Sequence, residues 1–343
     1  MTENTNKILK LLDAEFVRKF FDENILPKYP KFRAISRIEI EAIKKLVWHT
    51  TYHVVIRFDT TFTTKNGIEK TLPIFCSAHS SEPRKNVYDA LTYLWSHGFG
   101  SGNLTIPRPL FYSDHFNGTF YRGVNGHNLY HYIIEKKHEE IEAILPRAAS
   151  WLAKLHRLPT AGVKNFNQEN SRISSVFPGV AFILNDIELK YPALFETYQK
   201  IYEELIRREK KFLDTSQERW LIHGDAHPEN IIKVSEKKLA VIDFTDISLA
   251  DFTRDIGSFL QQLEYMSNKK ICDQAYADKI KKIFLDKYVK TAKIRLTDDI
   301  LDRIYTYYNW TTIRTASFFL TKHNPQPDRA EPLIASVKNN LKI

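Results

Sequence analysis

An α+β fold in two lobes, a small antiparallel sheet with one helix followed by a larger, mainly helical part, is what the 343 residues predict. Three observations lead there. The first third alternates apolar and polar residues at the strand period, the chain after Gly126 carries mainly helical periodicity, and its length favours two lobes over a single core. Ile8, Leu12, Phe16 and Phe20 recur at a helical interval, so residues 6–22 are expected as an amphipathic helix packed on the small lobe. The acids Asp13, Glu15 and Asp22 on its polar face argue against a seat on a membrane. Residues 38–47 and 53–62 read as the first two strands, and residues 71–79 as the third. A helix over about residues 82–97 puts Val87, Leu91, Leu94 and Trp95 on its buried face. Residues 111–113 and 119–122 pair as the last small-lobe strands around a turn at 114–118. The lobes are expected to divide near residue 124, into 1–124 and 125–343, with no Gly/Ser linker. In the second lobe Ile141, Ile144, Leu145, Ala148, Leu152 and Leu155 form one stripe, within which Pro146 can start a new helical segment. Segments around 186–211, 256–266, 275–291 and 297–323 also read as helices.

Composition excludes several classes. Hydrophobic content of 43% with 13% aromatic residues describes a folded chain, not a disordered one. The net charge of +9 is spread over basic pairs interrupted by acids, whereas a nucleic-acid site would concentrate it in one stripe, so no nucleic-acid partner is expected. No apolar run reaches membrane-spanning length and no targeting segment is visible, so no membrane partner and a cytoplasmic location are expected. Cys76 and Cys272 are too few for a disulfide framework and lack metal-site spacing, which fits a reducing interior. Nothing in the sequence speaks to oligomeric state.

The chemistry is concentrated in His223-Gly224-Asp225-Ala226-His227-Pro228-Glu229-Asn230 and in Asp243, which ends the apolar run from Leu239. Asp225, Asn230 and Asp243 stand around what reads as a hairpin: short β-type runs 221–222 and 231–232 flank the first segment and Val241-Ile242 lead into Asp243, so the reactive groups are expected at strand ends. One Asp, an Asn five residues later and a second Asp suit phosphoryl transfer, which needs an oriented hydroxyl and divalent metal at the phosphates more than covalent help. Asp225 can orient the hydroxyl, and Asn230 and Asp243 offer oxygen ligands to Mg²⁺. His223 and His227 are expected to brace the loop rather than exchange protons. Asp255 precedes Ile256, Phe259, Leu260 and Leu263 at helical spacing, which predicts a helix cap, and it is expected with the two histidines to support the loop; Asp251 is expected to be structural.

The octapeptide from His223 to Asn230 resembles the catalytic loop of the aminoglycoside phosphotransferase and choline kinase family, which shares the bilobal protein-kinase-like fold. Several further segments support the resemblance over roughly residues 80 to 260. Asp251 and Asp255 follow the Asp243-Phe244 pair as acids do in that family, and Trp151 to His156 resembles the helix that precedes the loop. Ile106 to Leu110 resembles the lead into the strand after the regulatory helix, and Gly123 to Gly126 the segment joining the lobes. The resemblance implies ATP or GTP as co-substrate, Mg²⁺, and a small-molecule hydroxyl as acceptor. It also implies a base contact at the hinge, for which Phe120, Tyr121 and Arg122 are the candidates.

The chain departs from that pattern in two places. Where the third strand should carry a phosphate-binding Lys stand Cys76, Ser77 and Ala78, and Val87 occupies the place of its Glu partner. The first two strands are joined by Trp48-His49-Thr50-Thr51-Tyr52, with no glycine to let backbone amides approach phosphates. Arg84 at the start of the following helix is the preferred substitute cation, with Lys85, Arg57 and Lys70 behind it. The contrasting expectation is a pseudokinase, a nucleotide-binding or scaffold module that kept the fold and lost turnover. The absence of an Ala-Pro-Glu-like anchor after Asp243 argues against protein side chains as acceptors. The acceptor is expected between the catalytic loop and the late helices. There Tyr305, Tyr307, Tyr308 and Trp310 are expected in the core rather than as a cage for a quaternary ammonium group. The basic chain disfavours a strongly cationic acceptor unless Asp246, Asp251 and Glu264 gather to overrule it.

Overall fold

A computed structural model describes residues 6–343. The chain forms two compact units: residues up to Gly126 together with Val234–Thr245, and His127–Lys233 together with Asp246–Ile343.

Alternation builds the first unit. β1 (Phe32–Val47), β2 (Tyr52–Thr64) and β3 (Glu69–His79) run antiparallel, and after α2 (Lys85–Leu94) and β4 (Leu104–Thr105) the strands β5 (Arg108–Ser113) and β6 (Gly118–Arg122) complete the order β1-β2-β3-β6-β5. Every second residue faces one side, so Val54, Ile56, Phe58, Ile74, Cys76, Ala78 and Phe120 are all buried in a single cluster. Against it α1 (Ala14–Asn24) lays Val17 and Phe21. Each such side chain contributes roughly 1.5–3 kcal/mol by leaving water.

The single helix expected over residues 6–22 is divided. Asp13 sits between a 3-10 segment, Lys7–Leu12, and α1; its backbone is extended and its carboxylate accepts the Phe16 N–H at 2.8 Å, so it caps a new helix instead of continuing the old one. The break rotates the buried set to Ile8, Leu11, Val17 and Phe21, with Leu12, Phe16 and Phe20 packed at its margin. The second helix is shorter than its apolar spacing suggested: beyond Leu94 the chain distorts over Trp95–Phe99, where Gly98 takes φ 90°. β4 pairs in parallel with β10 (Leu239–Val241), and the Leu239 N–H donates to the Asn103 carbonyl at 2.8 Å. That pairing draws Val234–Thr245 into the first unit.

In the second unit β7 (His127–Asn128) pairs with β9 (Ile231–Lys233), while β8 (Trp220–Ile222) pairs with β11 (Ser248–Ala250). The helices are α3 (Leu129–Ile134), α4 (His138–His156), α5 (Val180–Lys190), α6 (Pro192–Thr215), α7 (Thr253–Ile271), α8 (Gln274–Ala292), α9 (Asp298–Thr321) and α10 (Pro327–Leu341). Pro146 does not start a segment: α4 runs through it, and the Pro146 carbonyl accepts the Ser150 hydroxyl at 2.7 Å. The segment around 186–211 is two helices, because Pro192 suits the first position of a helix and not its interior. α10 was not foreseen. α7 and α9 approach so closely that a Cβ on Gly257 would lie 2.4 Å from the Ile304 carbonyl oxygen. No helix of the described residues is long and apolar enough to cross a membrane.

Candidate active site

The loop between β8 and β9 is fixed from below by one carboxylate. Asp255, in the first turn of α7 and fully buried, accepts the His223 N–H at 2.7 Å and the Gly224 N–H at 2.9 Å, and His156 Nε2 stands 3.0 Å from the same group. Asp255 is therefore not the helix cap its spacing predicted: Phe252 holds the cap position, and the Asp255 carboxylate holds two loop amides instead. His156 is itself held through Nδ1, 2.8 Å from the Tyr288 hydroxyl. Asp251, also buried, accepts the Thr253 N–H at 3.1 Å and faces Arg303 at 3.5 Å.

The turn at Gly224 needs glycine. Its φ is +83°, and a Cβ there would stand 2.1 Å from the Asp246 carbonyl oxygen. Arg254, almost fully buried, donates to the Gly224 carbonyl at 3.2 Å and to the Asn170 carbonyl, so the loop is gripped on its acceptor side as well. Within the loop the Asp225 N–H donates to His223 Nδ1 at 3.3 Å and the Glu229 N–H to His227 Nδ1 at 3.3 Å.

With its backbone held, Asp225 presents a half-exposed carboxylate whose Oδ2 lies 3.4 Å from His227 Nε2. Burial pushes this carboxyl up, but the His227 hydrogen bond and the charges of His227, His223 and Arg314 outweigh it and hold the group down to about 2. It is an anion at neutral pH and a weak base. Asn230 Nδ2 donates to the Asp225 carbonyl at 3.0 Å, which leaves Oδ1 as the amide atom for a cation. Asp243, at the end of β10 in the first unit, takes φ 62°, an uncommon backbone state for a residue with a side chain. Its exposed carboxylate accepts from the Thr245 hydroxyl at 2.9 Å. Among the described residues no three His, Cys, Asp or Glu side chains form a ready metal cluster. The donors of Asn230 and Asp243 are all oxygen, the set that Mg²⁺ prefers.

A cavity of about 550 Å³ opens on this loop, lined by Asp225, His227 and Asp246 on one side and by Trp310, Arg314 and Phe319 of α9 on another. A small molecule fits such a volume.

Residues 51–278 match the model of the phosphotransferase enzyme family, APH. The chain belongs to that family. No curated protein matches it. Among solved structures the phosphotransferase fold is shared with an APH(2")-IIa ternary complex with streptomycin and ATP, at 14% identity and TM-score 0.56 over 95% of this chain and 96% of that one. A spectinomycin phosphotransferase, APH(9)-Ia, in complex with ADP and spectinomycin, is similar at 12% identity and TM-score 0.56 over 96% and 98%. An ethanolamine kinase of Plasmodium vivax is similar at 15% identity and TM-score 0.51 over 88% and 81%.

As a phosphotransferase the chain departs from expectation in its first unit. Arg84, the preferred substitute cation, has a buried side chain paired with Glu82 at 3.3 Å, and it precedes α2 rather than projecting from it. Lys85 pairs with Asp89 at 2.9 Å and Arg57 with Asp59 at 3.0 Å, while Lys70 is exposed. Of the three residues at the missing Lys, only Ser77 faces away from the cluster that buries Cys76 and Ala78. The turn between β1 and β2 does not offer its carbonyls to solvent: Asn6 Nδ2 donates to those of Trp48 and Thr51 at 3.0 and 3.2 Å. Phe120, Tyr121 and Arg122 belong to β6, paired on both sides, with Phe120 in the core and Tyr121 stacked on Phe75. The chain leaves the sheet at Gly123, where a Cβ would strike the Phe75 ring at 2.4 Å.

His156, Arg254 and Arg314 were missed by sequence reasoning. For Arg254 a signal exists: a cation beside Asp255 at the head of an otherwise apolar helix is costly to bury unless it grips something.

Proposed function

We propose that this protein transfers the terminal phosphoryl group of ATP or GTP to a hydroxyl of a small molecule. The observation that carries the reading is the Asp225 carboxylate, anchored by His227 and facing a cavity of about 550 Å³ in the second unit. Asp225 orients the acceptor hydroxyl toward the phosphoryl group and takes its proton as the new bond forms; a carboxylate of such low basicity suits a late transfer. Asn230 and Asp243, assigned from their places in the chain, hold Mg²⁺, which when bound neutralises charge on the phosphate oxygens. Asp255, His223 and His227 keep the loop in register, a positioning role supported by the bonds to the His223 and Gly224 amides.

The test is ADP release with a panel of hydroxyl acceptors, using Asp225→Ala as the blank. Turnover that depends on an acceptor in the wild type and is lost in the variant supports the reading; equal turnover in both overturns it.

A pseudokinase reading has its own support, in the buried, paired Arg84 and in Ser77 at the place of the phosphate-binding Lys. Thermal stabilisation by ATP with and without Mg²⁺ separates the two. A metal-dependent shift absent from Asp243→Ala favours the enzyme, and no shift at millimolar ATP favours the scaffold.

A further inference from the structure

We propose that the acceptor taken by this cavity carries an anionic group, a carboxylate or a phosphate, besides the hydroxyl that is phosphorylated; the inference rests on the phosphotransfer reading above. The cavity is polarised. Asp225, Glu229 and Asp246 stand in the wall formed around the loop, whereas Lys269 of α7, Lys322 just beyond α9 and Arg329 of α10 line it too, with Arg314 as a fourth cation. None of these four cations makes an ion pair with a carboxylate among the described residues. Instead Arg314, Lys322 and Arg329 lean on aromatic rings or neutral oxygens. The Arg329 guanidinium lies 3.9 Å from the Phe319 ring centre and donates to Gln326 Oε1 at 2.8 Å and to the Tyr265 hydroxyl. Lys322 Nζ is 5.2 Å from the Phe319 ring centre, and Arg314 donates to the Phe177 carbonyl at 2.8 Å. Burial and the neighbouring charges of Arg329, Lys270 and Lys322 push the Lys269 ammonium down, so these cations repel one another, whereas Arg314 feels the charges of Asp246 and Asp225. A ligand anion would supply what the fold leaves out.

The same cavity is poorly suited to a cation. Arg254 and Arg314 hold their guanidinium carbons 4.9 and 4.8 Å from the Trp310 ring centre, so the ring that could receive a quaternary ammonium group already carries two cations. Tyr307 is buried against Glu209 at 3.0 Å, Tyr308 donates to Glu264 at 2.8 Å, and Tyr305 faces solvent; no cage assembles from them. Nor do the acids gather. Asp251 is buried facing Arg303, Glu264 is paired with Lys281, and only Asp246 reaches the cavity, where it accepts from Asn170 at 2.5 Å.

The experiment is calorimetric titration of the full chain, without nucleotide, with D-glucose, D-gluconate, D-glucose 6-phosphate and D-glucosamine, a matched series differing chiefly in charge. At least one anionic member should bind roughly tenfold more tightly than the neutral and cationic members, and added salt should weaken it. The double exchange Lys269→Gln/Lys322→Gln should remove that roughly tenfold preference, and Lys269→Gln alone, at an exposed position, should reduce it if the double variant fails to fold. Stronger binding of gluconate or of the phosphate ester says which anion the site prefers. Equal or tighter binding of glucose or glucosamine, anion binding unmoved by the exchanges, or no saturable anion binding at millimolar concentration overturns the inference. Failure here is distinguishable from failure of the phosphotransfer reading. Anion binding without ADP release from any acceptor sinks only the latter, and ADP release confined to neutral or cationic acceptors sinks only the former.

Discussion

Replacing Asp255 with Asn tests whether the catalytic loop is held by this one buried carboxylate. The wild-type oxygens each face donors: Oδ2 the His223 amide and His156, Oδ1 the Gly224 amide. Asn keeps one acceptor and turns the other atom into a donor, so at least one loop amide is left facing an N–H at a fully buried position. A hydrogen bond to a charged group contributes about 1.5–3 kcal/mol, and an orphaned buried donor costs about 1–3 kcal/mol, so a loss of about 2–4 kcal/mol is expected. That is a large share of the roughly 5–15 kcal/mol by which domains are stable. Urea unfolding followed by fluorescence of Trp151, Trp220 and Trp310, all in the second unit, reads it. pH adds a second signature. Burial pushes the Asp255 carboxyl up, yet the hydrogen bond and charge of His156, the charge of His223 and the Gly224 amide bring it below its usual value. A group depressed on folding stabilises above its unfolded value, near about 4, and that stabilisation is lost as pH falls through the lower folded value. The gap between wild type and variant should therefore be full at neutral pH and close in acid. A variant within about 0.5 kcal/mol of wild type at neutral pH would refute the bracing argument.

Other outcomes follow from the same geometry. Gly224→Ala should cost about 2–4 kcal/mol or displace the loop, since the new Cβ meets the Asp246 carbonyl oxygen, and crystallography or loss of turnover in a folded variant reads which. Cys76→Lys should destabilise the first unit by several kcal/mol, because the side chain enters the cluster under α1, whereas Ser77→Lys on the other face should cost less than about 1 kcal/mol; thermal unfolding of the pair checks the strand's facing. Glu204 is held down to about 2, first by the Arg207 hydrogen bond and then, against burial, by Arg208 and both charges. Its contribution, about 1 kcal/mol at a partly solvated site, should be present above about pH 4 and vanish toward pH 2, and Glu204→Gln should flatten that slope in acid denaturation.

Much of this was readable in the sequence because the relevant forces are local. Alternation along Val54, Ile56 and Phe58 fixes a strand face without reference to anything distant, and the interval from Asp225 to Asn230 fixes one loop. What failed depended on partners far along the chain. β8 and β9 pair with β11 and β7, strands of two or three residues too short to leave a period in the sequence. Asp255 has the spacing of a cap, and only the approach of His223 and Gly224 turns it inward. Arg84 was preferred for its place at the start of the second helix, a position that does not tell that its side chain is buried beside Glu82. The division of the first helix was legible in principle, since Asp13 lies three residues before Phe16 as a cap does, but the regular recurrence of Ile8, Leu12, Phe16 and Phe20 obscured it.

The pairing of β4 with β10 makes the first unit discontinuous in the gene. A polypeptide stopped at Gly126 lacks the strand whose Leu239 amide bonds Asn103, and one begun at His127 carries that strand without β4. During synthesis the sheet near Asn103 waits until residue 245 has been made, by which time most of α4, α5 and α6 has already left the ribosome. Splitting this protein into separately expressed halves therefore calls for a permuted or duplicated segment, not a single cut.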